Sequence, residues 1–255
     1  MKTSEIQNIE ALARIRIVLS RPSHPGNIGA AARAMKTMGL QRLILVAPHQ
    51  FPHAQAEAMA AGADDILATV TLATTLEKAL QGTVFAVAMT ARPRDLSHPA
   101  MPLREAVKYL FDTESGTIAA GGEIAMVFGN ETFGLSNEEI ACCNLIGMIP
   151  ANPAYSSLNL AAAVQVTAYE LAQAAQAFAL SSVPVRLRAP HEEIEALLAH
   201  LERSMVEDQF LDPEKPRRLM LRLRRLFARA GLEKEEVAIL RGILAAREKN
   251  RDRPE

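Results

Sequence analysis

The sequence predicts an α/β protein built around a parallel sheet, followed by a small helical extension at the C-terminus. Short apolar runs with the length of buried strands alternate with helical patterns through the first two thirds of the chain. Apart from Arg16, the runs are apolar throughout, as expected of parallel strands that are covered on both faces. After about residue 190 only helical patterns remain. In such folds the ligand-binding loops follow the carboxyl ends of the strands.

The individual elements follow from the positions of these patterns. The predicted strands are Ile15–Leu19, Leu43–Val46, Val84–Met89, Ile124–Phe128 and Leu145–Ile149. The predicted helices between them are Ile28–Gly39, Ala54–Ala61, Thr74–Leu80 and Pro102–Leu110. A longer helix rich in small residues follows the turn that contains Pro153, and either Ser156 or Ser157 is suited to cap it.

The chain divides into four segments. Residues 1–14 form a polar N-terminal lead-in, and residues 15–180 contain the predicted sheet. The stretch SSVPVRLRAP, residues 181–190, interrupts the helical pattern and is interpreted as a linker. Residues 191–255 form the extension, with predicted helices at Glu192–Val206, Glu214–Ala230 and Lys234–Glu248.

Composition excludes several classes of protein. The 255 residues are 49% hydrophobic, yet no apolar run is long enough to cross a membrane, and the N-terminus does not have the pattern of a signal peptide. The two cysteines, Cys142 and Cys143, are adjacent, which makes a disulfide between them strained. Without a cluster of cysteines and histidines we expect no metal site. These features predict a soluble, cytoplasmic protein.

A basic segment lies in the extension although the formal net charge of the chain is only −1. Its leucines recur at helical spacing, so the segment is predicted to be an amphipathic helix with a basic face. Such a helix suits a phosphate backbone, a membrane surface or an acidic partner, and the plainest alternative is a solvated helix face. The arginines considered for RNA contact are Arg217, Arg218, Arg222, Arg224 and Arg225.

Three loops share one pattern: a short hydrophobic strand, a turn rich in Gly, Asn or Pro, and a helix with small residues. They are RPSHPGNIGAAARAMKTMGL (21–40), GNETFGLSNEEI (129–140) and NPAYSSLNLAAAVQVTAYE (152–170). The first loop is not a GxGxxG motif, and the chain has no P-loop. A conventional Rossmann dehydrogenase or a nucleotide hydrolase is therefore disfavoured.

Taken together, the three loops resemble the three motifs of the SPOUT class (SpoU/TrmH-like) of RNA methyltransferases, most closely its TrmJ branch of tRNA ribose 2′-O-methyltransferases. The resemblance runs from about Ile15 to Leu171 and resumes in RRLMLRLRRLFARAG and ILRGIL of the extension. It implies a sheet whose C-terminal part is threaded into a trefoil knot, a homodimer, and S-adenosylmethionine as cofactor. The second loop departs from the pattern, since Asn130 and Thr132 stand where such sequences tend to place basic residues.

The resemblance also assigns residues to the cofactor. Met89, Thr90 and Ala91 follow a predicted strand and would form one wall of the pocket. Gly129 would let the backbone approach the cofactor closely, since glycine has no Cβ. The remaining residues of the predicted pocket are Ile149, Ser156, Ser157 and Leu158. Taken singly, Gly129 is an ordinary turn residue and Ile149 a core residue.

Catalysis requires a ribose 2′-hydroxyl aligned with an electrophilic methyl group, and alignment supplies much of the rate. Arg33 matches the motif arginine and is expected near the start of its helix, at the reacting ribose. Because arginine stays protonated, its guanidinium is expected to bind the adjacent phosphate and to stabilise the hydroxyl as it loses a proton. Asn27 is expected to hold Arg33 or the substrate, and Ser157 to contact the cofactor or the hydroxyl. As isolated residues they would be a surface arginine, a turn former and a helix cap.

The predicted activity is methylation of a ribose 2′-hydroxyl in tRNA that depends on S-adenosylmethionine. By resemblance the target is the pyrimidine at position 32 of the anticodon loop. Two alternatives stay open: a SPOUT enzyme that acts on rRNA or on another tRNA position, and a non-catalytic RNA-binding protein with the same fold. The predicted partners are tRNA and a second copy of the chain, with neither a membrane nor a metal.

Overall fold

The computed structural model describes residues 9–91, 99–112, 116–118, 121–178, 188–215 and 218–251. A short helix, α1 (residues 9–13), leads into the sheet domain. The elements of that domain are β1 (Ile15–Ser20), α2 (Pro25–Thr37), β2 (Arg42–Val46), α3 (Ala54–Ala60), α4 (Asp64–Ala68), β3 (Thr71–Ala73), α5 (Leu76–Ala79), β4 (Thr83–Met89), β5 (Ala100–Pro102), α6 (Leu103–Phe111), β6 (Glu123–Phe128), α7 (Asn137–Ala141), β7 (Leu145–Met148) and α8 (Leu160–Phe178). The extension contains α9 (His191–Glu207), α10 (Leu219–Ala230) and α11 (Lys234–Arg251).

The seven strands form one sheet in the order β3-β2-β1-β6-β4-β7-β5, and every neighbouring pair is parallel. The predicted parallel α/β fold is therefore confirmed. Strand β6 pairs with β1 on one side and β4 on the other, so it joins the two halves of the sheet. Ligands in open parallel sheets bind outside the carboxyl ends of the strands at such a reversal of strand order. The trefoil knot implied by the resemblance stays a prediction.

Both faces of the sheet are covered, which explains the continuous apolar runs. All six residues of β1 are buried. One face packs Ile17, Leu19 and Met126 against buried residues of α2, α6 and α8. The other face packs Val18, Val127 and their neighbours against α5 and α7. A strand buried on both faces carries apolar side chains toward each face, and this removes the alternation seen in half-exposed strands. The buried Arg16 of β1 is an exception, and its guanidinium is paired with Glu123.

The structure differs from the predictions mainly at element ends and in short elements. Helix α2 begins at Pro25 rather than Ile28, because the fixed φ of proline suits the first position of a helix. Helix α10 begins at Leu219 rather than Glu214, and β7 ends at Met148. Four elements of three to five residues, α4, β3, β5 and α7, have no counterpart among the predicted elements, since so few residues show no periodicity.

The extension packs on the sheet domain at the amino end of β4. The backbone N–H of Gly82 donates to the Glu192 carboxylate at 2.8 Å, and the Arg188 guanidinium lies 5.7 Å from the centre of the Phe85 ring. Arg188 also forms a β-bridge with Glu233, and Ala189 is buried. The last residues of the predicted linker, 188–190, therefore make contacts within the extension, while residues 181–187 lie outside the described part of the chain.

Candidate active site

A cleft opens at the carboxyl ends of three neighbouring strands, β6, β4 and β7. Its walls are the loops after these strands and the first turn of α8. The space between the walls is about 840 Å³, including the part open to solvent. The cleft is lined by Met89, Thr90, Ala91, Phe128, Gly129, Asn130, Glu131, Thr132, Phe133, Gly134, Ile149, Ser156, Ser157, Leu158, Leu160 and Ala163.

All eight residues predicted to hold the cofactor line this one cleft: Met89, Thr90, Ala91, Gly129, Ile149, Ser156, Ser157 and Leu158. They come together because β4 lies between β6 and β7, so three loops that are distant in sequence leave the sheet side by side. The Thr90 N–H donates to the Gly147 carbonyl at 3.1 Å and ties the loop after β4 to β7.

The remaining lining residues were not predicted for the cofactor. Phe128 is the last residue of β6, and Leu160 and Ala163 belong to the first turns of α8. Their only signal in the sequence is their position beside residues of the matching motifs. Phe133 lies within the second motif but was not predicted for the cofactor, and it has the most exposed large apolar side chain among those described, at 83%.

The loop after β6 folds back on itself at Gly129. A Cβ built at this position would lie 2.1 Å from the carbonyl carbon of Gly134 and 2.2 Å from the nitrogen of Leu135. Any other residue would therefore displace the loop. The sequence analysis attributed this glycine to close approach of a cofactor, and the structure adds a second cause, the approach of the backbone to itself.

Glu131 is held by the first loop. Its carboxylate accepts hydrogen bonds from the N–H and hydroxyl of Ser23 at 2.8 and 2.6 Å, from the His24 N–H at 3.1 Å and from the Asn27 side-chain amide at 2.9 Å. Four donors from β1–α2 thus converge on one carboxylate of the β6–α7 loop. Charge-assisted hydrogen bonds of this kind are stronger than neutral ones and fix the relative position of the two loops.

This environment keeps Glu131 ionised. Partial burial by itself raises the pKa of the carboxyl, but the hydrogen bonds from Asn27 and Ser23 stabilise the charged form more strongly. The net result is a pKa lowered to about 2. A permanently charged carboxylate with four donors is suited to holding loops, and it is a poor proton acceptor.

The third loop joins the same network through Asn159. Its side-chain N–H donates to the side-chain oxygen of Asn27 at 3.0 Å, and its own side-chain oxygen accepts from the Ala161 N–H at 2.9 Å. Asn159 is therefore the residue that caps α8. The prediction that Ser156 or Ser157 caps this helix is wrong, because the chain stays extended for two residues more.

The two serines are left available to the cleft. Ser157 is exposed and Ser156 is half-buried. Within the described part of the chain, the Ser157 hydroxyl has no hydrogen-bond partner. An unpartnered hydroxyl on a cleft wall is able both to donate to and to accept from a bound ligand.

Arg33 lies outside the cleft wall. It is the ninth residue of α2, so the expectation that it lies near the start of its helix is wrong, since the helix begins at Pro25. Its side chain is exposed, and none of the described residues forms an ion pair with it. The guanidinium is thus available to a phosphate.

The arginines of the basic segment differ in their exposure and contacts. Arg218 and Arg222 are exposed and Arg225 is half-buried, whereas Arg217 lies outside the described residues. Arg224 forms an ion pair with Glu195 of α9, with Nη2 2.8 Å from Oε2 and Nη1 in contact with Oε1. Two parallel hydrogen bonds to one carboxylate occupy its guanidinium, so Arg224 joins α10 to α9.

Two further features bear on function. Among the described residues, no group of His, Cys, Asp or Glu side chains is arranged to hold a metal ion. None of the described helices is long and apolar enough to span a membrane.

Comparison with known proteins matches both parts of the chain. Residues 14–169 match the SpoU rRNA Methylase family, and residues 192–255 match the C-terminal domain of the tRNA methyltransferase TrmJ. The chain is 46% identical over 248 residues to tRNA (cytidine/uridine/adenosine-2′-O-)-methyltransferase TrmJ of Pseudomonas aeruginosa, covering 93% of this chain and 95% of that protein.

Two further relatives agree. The tRNA (cytidine/uridine-2′-O-)-methyltransferase TrmJ of Pectobacterium atrosepticum is 43% identical, over 94% of this chain and 99% of that protein. The crystal structure of TrmJ from Z. mobilis superposes with a TM-score of 0.78 at 33% identity, covering 91% of this chain and 98% of that chain. Since both parts of the chain match and the relatives are covered over nearly their full length, the chain belongs to the SpoU methylase family and, within it, to the TrmJ branch of 2′-O-methyltransferases.

Proposed function

We propose that this protein transfers a methyl group from S-adenosylmethionine to the ribose 2′-hydroxyl of a pyrimidine in tRNA. The observation that carries this proposal is the meeting of eight residues from separate loops in one cleft. The TrmJ relatives, which are named for methylation of tRNA cytidine and uridine, support the substrate class. We further propose that the pyrimidine is at position 32, that the protein is a homodimer, and that it acts in the cytoplasm.

The cleft has the chemistry that this cofactor requires. Met89, Ile149 and Leu158 offer apolar contacts, and the loop backbones offer amide and carbonyl groups for an adenine and an amino acid. The Glu131 carboxylate accepts hydrogen bonds from four donors of the first loop. It therefore holds the loop that forms this wall of the cleft. When bound, S-adenosylmethionine would supply an electrophilic methyl group whose leaving group is a neutral thioether.

Two residues act on the ribose side of the reaction, and a third supports the loops. Ser157 accepts a hydrogen bond from the 2′-hydroxyl and orients its oxygen toward the methyl group, since its own hydroxyl has no other described partner. Arg33 binds the adjacent phosphate and stabilises the oxygen as its proton passes to solvent. Asn27 has both side-chain groups engaged, by Glu131 and Asn159, so we assign it the role of holding the three loops together.

We propose that the extension binds the tRNA backbone through exposed arginines. Arg218 and Arg222 are available for phosphates, whereas Arg224 is omitted because Glu195 occupies it. Strand β4 carries the extension at its amino end and the cleft at its carboxyl end, and its seven residues span about 20 Å. The extension therefore contacts a part of the RNA distant from the reacting ribose.

Methyl transfer from labelled S-adenosylmethionine to unmodified tRNA and to rRNA tests the proposal. Mapping of the alkali-resistant ribose locates the modified nucleotide. Label at a tRNA pyrimidine supports the proposed function, and label at position 32 supports the finer assignment. Label in rRNA favours the second candidate, an rRNA methyltransferase, which the name of the matching family suggests. Cofactor binding without transfer to either RNA contradicts both.

The Arg33→Ala variant tests the assignment of the catalytic arginine. Turnover should fall at least about 100-fold, in the range seen when a transition-state donor is removed. The dissociation constant of S-adenosylmethionine, measured by titration calorimetry, should stay unchanged because Arg33 does not line the cleft. Equal loss of turnover and cofactor affinity would mean that Arg33 has a structural role.

A further inference from the structure

Phe133 stands at the tip of the loop after β6 and is 83% exposed. Its side chain lines the mouth of the cleft beside Thr132 and Gly134. A phenylalanine in this position forgoes about 2 kcal/mol of the hydrophobic stabilisation that its burial would bring. Folding alone therefore gives no reason for an aromatic ring here.

Hydrogen bonds within the loop fix the position of the Phe133 backbone. The Asn130 side-chain oxygen accepts from the N–H of Thr132 at 2.9 Å and from that of Phe133 at 3.4 Å. The Asn130 side-chain N–H donates to the Arg21 carbonyl at 2.8 Å, and the Gly134 N–H donates to the Asn130 carbonyl at 2.8 Å. Glu131, between Asn130 and Thr132, is fixed by four donors of the first loop. The exposure of Phe133 is thus a property of a hydrogen-bonded turn.

The charges of this loop favour a base over a phosphate. Residues 129–136, GNETFGLS, contain no lysine or arginine, and their single charge is the carboxylate of Glu131. A phosphate would find no cation within this loop, and the adjacent Arg21 guanidinium is paired with Glu139 at 3.0 Å. An apolar aromatic face remains, and such faces bind nucleobases by stacking, with little dependence on sequence.

The proposed reaction brings a base to the mouth of the cleft, where Phe133 lies. A ribose that offers its 2′-hydroxyl to the cleft carries a base, and single-stranded loops expose their bases for stacking on aromatic side chains. We propose that Phe133 stacks on the base of the nucleotide being methylated and so positions its ribose at the cleft. This inference rests on the proposed function and adds a substrate-positioning residue to it. Stacking serves cytidine and uridine alike, because both have a π-face.

A series of substitutions at Phe133 tests the contact. Phe133→Tyr and Phe133→Trp keep a stacking face, whereas Phe133→Leu keeps only apolar volume and Phe133→Ala keeps neither. We expect kcat/KM for tRNA to fall about 10- to 100-fold in the Leu and Ala variants and to stay within about threefold of wild type in the Tyr and Trp variants. Leu72→Ala, at an exposed residue of the edge strand β3, is the control and should retain full activity.

Two other measurements separate the competing roles of this ring. The dissociation constant of S-adenosylmethionine should stay within about threefold of wild type in all variants, and light scattering should give an unchanged molar mass. A loss of cofactor affinity that parallels the loss of activity would make Phe133 a wall of the cofactor pocket. A change of mass would make it a contact between two copies of the chain. Either result overturns the proposal.

An abasic target nucleotide that keeps its 2′-hydroxyl gives a direct test of the base. If Phe133 stacks on that base, Phe133→Ala should lower the single-turnover rate on abasic RNA by less than about threefold, since the contact is already absent. A full effect of Phe133→Ala on abasic RNA overturns the proposal. So does a Leu variant as active as the Tyr variant. Absence of transfer by the wild-type protein on intact tRNA would instead contradict the proposed function.

Discussion

At the scale of single residues, the site depends on three polar side chains that hold one another. Glu131, Asn27 and Asn159 come from three loops and form a continuous chain of hydrogen bonds. Asn27 was recognised in the sequence by its place in a motif. The contacts among the three were not predicted, because residues 27, 131 and 159 approach one another only after the sheet has formed.

The pKa of Glu131 makes a prediction about acid stability. A carboxyl whose folded-state pKa is lowered stabilises the protein above its unfolded value of 4.5, and this stabilisation is lost as the pH falls toward the folded value of about 2. Glu131→Gln should therefore be less stable than wild type at pH 7, with the difference shrinking between pH 4.5 and 2. Urea unfolding at several pH values measures this, and Glu202→Gln, an exposed glutamate of α9, is the control.

The different roles of Asn159 and Ser157 can be separated by alanine substitution. Asn159→Ala removes the cap of α8 and the bond to Asn27, and should lower the free energy of unfolding by about 1–2 kcal/mol. Ser157→Ala removes neither and should leave the free energy of unfolding within about 0.5 kcal/mol of wild type while lowering methyl transfer. Thermal unfolding and turnover of both variants provide the comparison. A Ser157→Ala variant that is destabilised but fully active would contradict these roles.

At the scale of elements, helix α2 positions the first motif by close packing against α3. A Cβ at Gly29 would lie 1.9 Å from the Ala56 carbonyl oxygen and 2.9 Å from the nitrogen of Ala60. The contact is with backbone, which cannot rotate away as a side chain can. Gly29 therefore sets the distance between the two helices, and with it the place of Asn27 at the loop.

Glycine-to-alanine substitutions in two helices should have opposite effects. Gly29→Ala should destabilise the protein by about 3 kcal/mol, since α3 must shift to admit the methyl group. Gly242→Ala, in α11, meets no atom within 4 Å and should stabilise it by about 0.5–1 kcal/mol through the higher helix propensity of alanine. Chemical denaturation of both variants checks this. Equal stability of the two variants would contradict the close approach of α2 and α3.

At the scale of the whole molecule, the cleft and the extension lie at opposite ends of β4. The extension docks through Glu192 and Arg188, at the amino end of the strand, while Met89 at the other end lines the cleft. Within the extension, the pair between Arg224 and Glu195 joins two helices. In the same helix, Arg224 stabilises the extension, whereas the exposed Arg222 is available to RNA.

Arg222 and Arg224 provide a matched pair for testing this division. Arg222→Ala should weaken tRNA binding and reduce the slope of log Kd against log salt concentration by about 1. The melting temperature of the protein should stay unchanged. Arg224→Ala removes both hydrogen bonds to the half-buried Glu195 carboxylate, leaving only His191 at 3.9 Å, and should lower stability by about 1–3 kcal/mol. Filter binding at several salt concentrations and calorimetry measure the two effects. The same salt dependence in Arg222→Ala and wild type would exclude Arg222 from the RNA surface.

The sequence by itself determined the α/β class, the five longer strands and the three helices of the extension, which follow from apolar runs and helical periodicity. The eight residues that line the cleft were assigned through the resemblance of three short motifs to those of a known family. The tertiary structure decided the cap of α8 at Asn159, the pairing of Arg224 with Glu195, the depressed pKa of Glu131 and the exposure of Phe133. Each depends on contacts between distant segments, or on which side of a turn faces solvent, and neither is fixed by the local pattern of residues.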